Sequence, residues 1–394
     1  MIDIQNIVVS KFDANRWVIS TPNGSHILIN ENSKKLLDIL LRGDDSTALV
    51  EFNLAFNKSL SQSDFESLIE IKFKGLNKHK ERVEKYSYLS LRFTILSSKV
   101  AGLLAQPFSF LFKPLNFWFI LISTIIFNTV ITLKYFSLDI TLINLKSAIL
   151  YFSIVYSSML IHELGHIAAC RKFKIKHGEI GFGFYLVFPV LYADVTNVWM
   201  LAKNKRIITN LAGIKLELLY STILCCIFLI TSNLTFLYCS ITIFIKALTE
   251  LNPFIRYDGY WVLSDITDTP NLLPKSTAAI LSFFKRGSIN TRYGSLSSFK
   301  YYALLCYGVS NLVIITLYVT IIIVKYNYLI LQFPLNIMIH AQKLTQGDFS
   351  EIFLIATLDN LLILGLYVLV AKLIFTTFIK RVPIWFNRMS QNRF

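Results

Sequence analysis

Six stretches of this 394-residue chain are apolar: 116–136, 147–170, 207–230, 234–251, 302–324 and 353–378. At roughly 20 residues each, they match the length that crosses ~30 Å of hydrocarbon. In lipid every backbone N–H and C=O must pair inside its own segment or in a closed barrel, so such runs are expected as helices. Composition agrees, with 54% hydrophobic residues, 16% charged residues and a mean hydropathy of +0.54. Soluble domains carry more charge and less apolar surface. The expected fold class is a mainly α, polytopic membrane protein of about six transmembrane helices.

The net charge of +15 is unevenly placed. Residues 1–88 hold 12 Lys/Arg against 12 Asp/Glu, so the excess lies among the apolar runs. Arg171, Lys172, Lys174 and Lys176 follow the second run, Lys203, Lys205 and Arg206 precede the third, and Lys380, Arg381, Arg388 and Arg393 close the chain. The connections 137–146 and 231–233 are poor in basic residues. Basic loops stay cytoplasmic, which predicts a multi-pass cell-membrane protein with both termini in the cytoplasm and lipid as a partner. No basic, aromatic-interleaved stretch suggests nucleic acid. The five cysteines lack the spacing of a metal site or a disulfide scaffold, and residues 1–20 lack a signal-peptide core.

Residues 1–80 read as a small cytoplasmic α/β module. Two short strands flank the turn signal Pro22-Asn23-Gly24, followed by helices ending near Gly43, near Phe56 and near Gly75. Residues 81–115 are expected as a linker and interfacial segment, 116–270 as a membrane core, and 271–394 as a loop, two further spans and a basic tail. The stretch 178–198, with Gly178, Gly181 and Gly183, is too short and too glycine-rich to span, and is expected as a β-hairpin or re-entrant element.

The second run contains His162-Glu163-Leu164-Gly165-His166. HExxH places two imidazoles one helical turn apart, suited to holding Zn²⁺ while the carboxylate handles a proton. Ionisable residues at membrane depth are costly, so their default reading is functional. A catalytic zinc site needs a third protein ligand and an open position. Asp258, in Asn252-Pro253-Phe254-Ile255-Arg256-Tyr257-Asp258-Gly259 at the end of the fourth run, is the best candidate; Asp265 and Asp268 lie farther along. Read alone, the NPxxxxDG string is more often helix-exit punctuation. Glu217 either supports the site or makes a helix-end interaction.

HELGH on one span and NPFIRYDG after a later one resemble the site-2 protease family of intramembrane zinc metallopeptidases, over roughly residues 115–270. That resemblance implies one zinc ion on His162, His166 and Asp258, with Glu163 as general base and acid. It implies that Asn252 polarises the scissile carbonyl, and that Gly181, Phe182, Gly183 and Phe184 form a strand edge for an extended substrate. Residues 188–195 and Asp258-Gly259-Tyr260-Trp261 resemble the peptide zinc metalloprotease branch associated with modified ribosomal peptides, from epipeptide-type or bacteriocin clusters. The N-terminal module is similar to PqqD-like, winged-helix-like peptide-clasping domains. Ile214 after Ala212-Gly213 departs from the proline often found there, and no connection is long enough for a PDZ domain.

Three readings follow. The first is a membrane protease that processes a peptide precursor for a modified secreted peptide, with an exporter or maturation enzyme as partner. The second is a regulatory intramembrane protease that cleaves a membrane-anchored signalling protein. The third is a non-catalytic zinc-binding immunity or assembly factor.

Overall fold

A computed structural model describes residues 7–13, 15–21, 26–42, 45–73, 89–135, 145–185, 188–284 and 298–345. The expected sixth span, the basic tail and Gly347 lie outside them. The described chain divides into two compact units, one of residues 1–85, 94–181 and 191–270, the other of residues 86–93, 182–190 and 271–394.

In the first unit the chain opens with an antiparallel sheet of β1 (Val8–Lys11), β2 (Arg16–Ser20) and β3 (His26–Asn30), in that order. The sequence reading missed β1. Helices α1 (Glu31–Arg42), α2 (Asp45–Phe56) and α3 (Gln62–Phe73) follow. Alternate strand residues Ile19 and Ile29 meet Leu36, Leu37 and Ile39 of α1, Phe52 of α2 and Phe65 and Phe73 of α3 in one apolar core. Asn30 caps α1, its side-chain oxygen accepting from the Ser33 N–H at 2.9 Å.

Residues 89–112, expected at the interface, form strand β4 (Leu89–Leu96), helix α4 (Ser98–Ala105) and a 3₁₀ turn over Gln106–Phe112. The long helices α5 (Pro114–Tyr135) and α6 (Leu145–Lys172) come next. Strands β5 (Ile180–Tyr185) and β6 (Phe188–Ala193) bear out the expected β element, and β4 joins them in the order β4-β5-β6. The expected third span divides at Leu211 into a polar α7 (Lys203–Asn210) and an apolar α8 (Ala212–Thr231), and Asn210 donates to the Asp265 carboxylate at 2.8 Å. Helices α9 (Leu234–Glu250) and α10 (Asp258–Ile266) complete the unit.

The second unit contains α11 (Leu272–Phe284) and α12 (Ser298–Thr345). Gly308 lets α12 approach α11, since a Cβ there would stand 2.8 Å from Ile280 Cδ1. Helix α12 runs unbroken from Ser298 to Thr345, well past residue 324, where the fifth apolar run was expected to end.

Four described helices are long and apolar enough to cross a membrane: Asn116–Tyr135, Lys146–Lys172, Ala212–Thr231 and Phe299–Leu317. The fold is therefore mainly helical with membrane-spanning potential. Helix α9 has 17 residues, about 25 Å at 1.5 Å each, a little short of a full span.

Lipid offers no hydrophobic drive for helix association, so close packing and polar contacts must hold α5, α6, α8 and α9 together. Gly165 on α6 supplies the first: a Cβ there would stand 2.4 Å from the Ala212 carbonyl oxygen on α8. Fully buried Asn128 on α5 supplies the second. Its amide donates to Thr222 Oγ1 at 2.8 Å and its oxygen accepts from Ser221 Oγ at 2.6 Å, while Ser221 Oγ also contacts the Ser240 carbonyl on α9. Lys215 on α8 is fully buried, donating to the Leu111 carbonyl at 2.5 Å with the Phe117 ring 4.6 Å away.

Candidate metal centre

Helix α6 carries His162, Glu163 and His166, all buried. The i,i+4 spacing stacks the two imidazoles on one face, ring centroids 4.9 Å apart, with Nε2 atoms 3.1 Å apart. The position is six residues, about 9 Å, before the helix ends at Lys172. Gly213 opens the facing wall, since a Cβ there would lie 2.5 Å from His162 Nε2. Sequence reading noted Ala212-Gly213 without giving the glycine this role.

Asp258 begins α10, where the helix dipole favours a carboxylate. Gly259 lets that first turn rest on the backbone of α9's exit, because a Cβ there would be 2.0 Å from the Leu251 carbonyl oxygen. The close fit brings Asp258 Oδ2 to 3.1 Å from His162 Nε2 and 3.3 Å from His166 Nε2. Three donor atoms thus form a triangle with edges of 3.1, 3.1 and 3.3 Å. Tetrahedral N/O donors about 2.0–2.1 Å from one zinc ion stand roughly 3.3 Å apart. Oδ2 is buried and receives no hydrogen bond. A buried carboxylate oxygen facing two imidazole nitrogens without a donor fits a cation between them. Burial alone raises the Asp258 carboxyl, but the two imidazoles hold it well below the ordinary carboxylate range.

The outer ring nitrogens fix the tautomers. A backbone carbonyl can only accept, so the 2.8 Å contact between His166 Nδ1 and the Thr209 oxygen puts the proton on Nδ1 and the lone pair on Nε2. His162 Nδ1 faces Glu217 Oε2 at 3.3 Å and Glu250 Oε2 at 3.0 Å. Lys246 donates to both of these carboxylates at 2.6 Å. Glu217 therefore lies against His162 from within α8, not at the end of that helix. Glu250 and Lys246 escaped sequence reading, because their i,i+4 spacing on an apolar helix looks like an ordinary surface pair. Among the described residues no ion pair or hydrogen bond engages the Glu163 carboxylate, although the residue is only 9% exposed.

Other expected residues fall as follows. Asn252 accepts from the Phe254 N–H at 2.9 Å through Oδ1, a short turn that leaves its amide nitrogen as the donor. Asp265 pairs with the buried Arg206 at 2.6 Å, and burial pushes its carboxyl up against the pull of that guanidinium. Asp268 pairs with Lys203 at 2.8 Å. Neither belongs to the donor triangle.

The expectation that Gly181, Phe182, Gly183 and Phe184 form a strand edge needs correction. They lie on β5, the central strand between β4 and β6, because residues 89–96 extend as a strand instead of lying helical at the interface. Phe182 stacks on Phe93 of β4 with centroids 4.9 Å apart, and Gly181 is required by the Tyr192 ring, which would stand 2.4 Å from a Cβ. Among the described residues the outer strands of this sheet are β4 and β6.

The chain is 32% identical over 109 residues to "Putative peptide zinc metalloprotease protein YydH" of Bacillus subtilis (strain 168). The matched stretch is 27% of this chain and 43% of that protein, so the chain spans less than half the relative's length. No family model matches the chain, and no solved structure matches it. The partial similarity and the His/His/Asp group together support a relation to zinc metalloproteases.

Proposed function

We propose that the chain is a membrane-embedded zinc metalloendopeptidase of the site-2 type that processes a peptide precursor. The observation that carries this reading is the triangle of His162 Nε2, His166 Nε2 and Asp258 Oδ2, built from two separate helices at zinc-compatible spacing. A zinc ion there supplies Lewis acidity, polarising a peptide carbonyl and making water acidic enough to deprotonate near neutrality. Glu163, one position from His162 and without a competing partner among the described residues, takes the proton of the attacking water and returns it to the leaving amine. The amide nitrogen of Asn252 donates to the carbonyl oxygen as charge develops on it.

Helical substrates hide their peptide bonds, so an extended substrate is required. The exposed edge of β4, with Leu91, Phe93 and Ile95 projecting as alternate apolar residues, is suited to adding such a strand. The N-terminal sheet and helices, similar to a peptide clasp, would deliver the precursor. The basic loops favour a cytoplasmic position for both termini, and an exporter or maturation enzyme is the expected partner.

The test is reconstitution of the full chain in lipid vesicles with a candidate precursor peptide, read by product mass. Wild type is expected to release a shortened peptide, and Glu163→Gln is expected to retain zinc and release none. Cleavage by Glu163→Gln at the wild-type rate sinks the assignment.

A further inference from the structure

The two histidines are backed differently. His166 rests on a neutral backbone carbonyl. His162 rests on two carboxylates from different helices, Glu217 of α8 and Glu250 at the last position of α9, neither of which the resemblance assigns. Glu217 is fully buried, His162 is nearly so, and Glu250 is half-buried. Placing two carboxylates at membrane depth is costly unless a cation balances them. Lys246, one turn before Glu250, sends its ammonium to Oε1 of both. The opposite oxygens, Oε2 of each, then face the single Nδ1–H of His162. That N–H hydrogen-bonds Glu217, while Glu250 Oε2 lies close without a hydrogen bond of its own and acts through its charge.

From this juxtaposition we infer that Glu217 and Glu250, bridged by Lys246, are positioning residues for His162. They hold Nδ1 protonated and commit the Nε2 lone pair to the metal. The inference rests on the metal-centre reading and deepens it. His162, Glu217 and Glu250 could also be read as a second cation site, since their donor atoms cluster. With Nδ1 protonated toward these carboxylates it has no lone pair for a second ion, so one ion per chain is expected. Carboxylates behind a ligating histidine raise its basicity and fix its ring, and removing such partners typically costs 10–100-fold in metal affinity. The backing is thus lopsided: His162 is the stronger donor, and His166 is the ligand held by backbone alone.

The experiment uses the full chain in detergent, with zinc affinity measured by chelator competition and the Co²⁺-substituted absorption spectrum recorded beside it. Glu217→Gln, Glu250→Gln and the double variant keep side-chain volume while removing charge, and either single variant carries the test if the double does not fold. The double variant is expected to bind zinc about 10–100-fold more weakly with shifted Co²⁺ bands, Glu217→Gln giving the larger share. Affinity within twofold of wild type with an unchanged Co²⁺ spectrum overturns the assignment, as does a stoichiometry of two zinc ions per chain. His166→Ala separates the two levels: if it still binds zinc with wild-type affinity, the metal-centre reading itself fails.

Discussion

Gly213→Ala places one methyl group against the metal-binding atom of His162. The added Cβ would lie 2.5 Å from Nε2, with Cε1 and Cδ2 at 2.6 and 2.7 Å. Ordinary contact needs about 3.4 Å or more, so the ring or the helix must yield by about 0.9 Å. Neither yields easily: Gly165 already brings α6 against the backbone of α8, and Nδ1 is held from behind by Glu217 and Glu250. Ligand distances in metal sites tolerate about ±0.2 Å, so a 0.9 Å displacement removes His162 as a ligand. Overpacking itself costs about 1–3 kcal/mol, too little to unfold most proteins. The expected outcome is a folded chain whose zinc affinity drops by at least 100-fold. Zinc content of the purified protein by mass spectrometry, beside helical circular dichroism and a melting curve, reads both effects. A folded Gly213→Ala chain carrying one tightly held zinc ion would refute the placement of α8 over the histidines.

Gly259→Ala should act from the other side of the centre. Its Cβ would meet the Leu251 carbonyl at 2.0 Å, so the start of α10 must move and carry Asp258 away, with zinc affinity and melting temperature both falling in the same assays. Arg206→Met leaves Asp265 as a buried, unpaired carboxylate at 5% exposure; a loss of about 3–5 kcal/mol is expected, seen as a lower denaturation midpoint. Asn128→Ala removes the hub between α5 and α8, and about 1–3 kcal/mol of helix-bundle stability should go with it in a detergent denaturation titration, without change in zinc content.

What the sequence could reveal followed from periodicity and from motifs with strict spacing. HELGH lies on a helix because its flanks are apolar for some 20 residues, and its two imidazoles could only stack. Asp258 was legible only beside the HExxH of an earlier apolar run, since NPxxxxDG alone more often marks a helix exit, and Gly259 proves to be required by the approach of Leu251. The polar supports were not legible. Lys246 and Glu250 share a helix with no hint that they meet Glu217, which lies 29 residues earlier in the chain than Lys246. Strand β4 was lost because Arg92 and Lys99 interrupt an apolar segment in a way that also suits a surface helix. The position of β5 in mid-sheet depended on β4, so the first miss caused the second.

The centre joins two helices with different kinds of support. On α6 and α8 the histidines sit in a tightly packed, mostly apolar cluster that includes Ile167, Ala168, Leu211, Ala212 and Leu216. Helix α10 has nine residues and relies on charge: Asp265 to Arg206 and Asn210, and Asp268 to Lys203. The N-terminal sheet adds to that support, since Arg16 donates to the Asp268 carbonyl at 2.9 Å and the Phe12 ring lies 3.8 Å from the Arg206 guanidinium. Phe12 is 2% exposed, so the β1–β2 turn is part of the wall that shields the Arg206–Asp265 pair. An ion pair shielded from water is more sensitive to loss of a partner than one at the surface. The position of Asp258 therefore depends on polar contacts that extend to the first strands of the chain, whereas the histidine pair depends on helix packing and on the Thr209, Glu217 and Glu250 oxygens within the bundle.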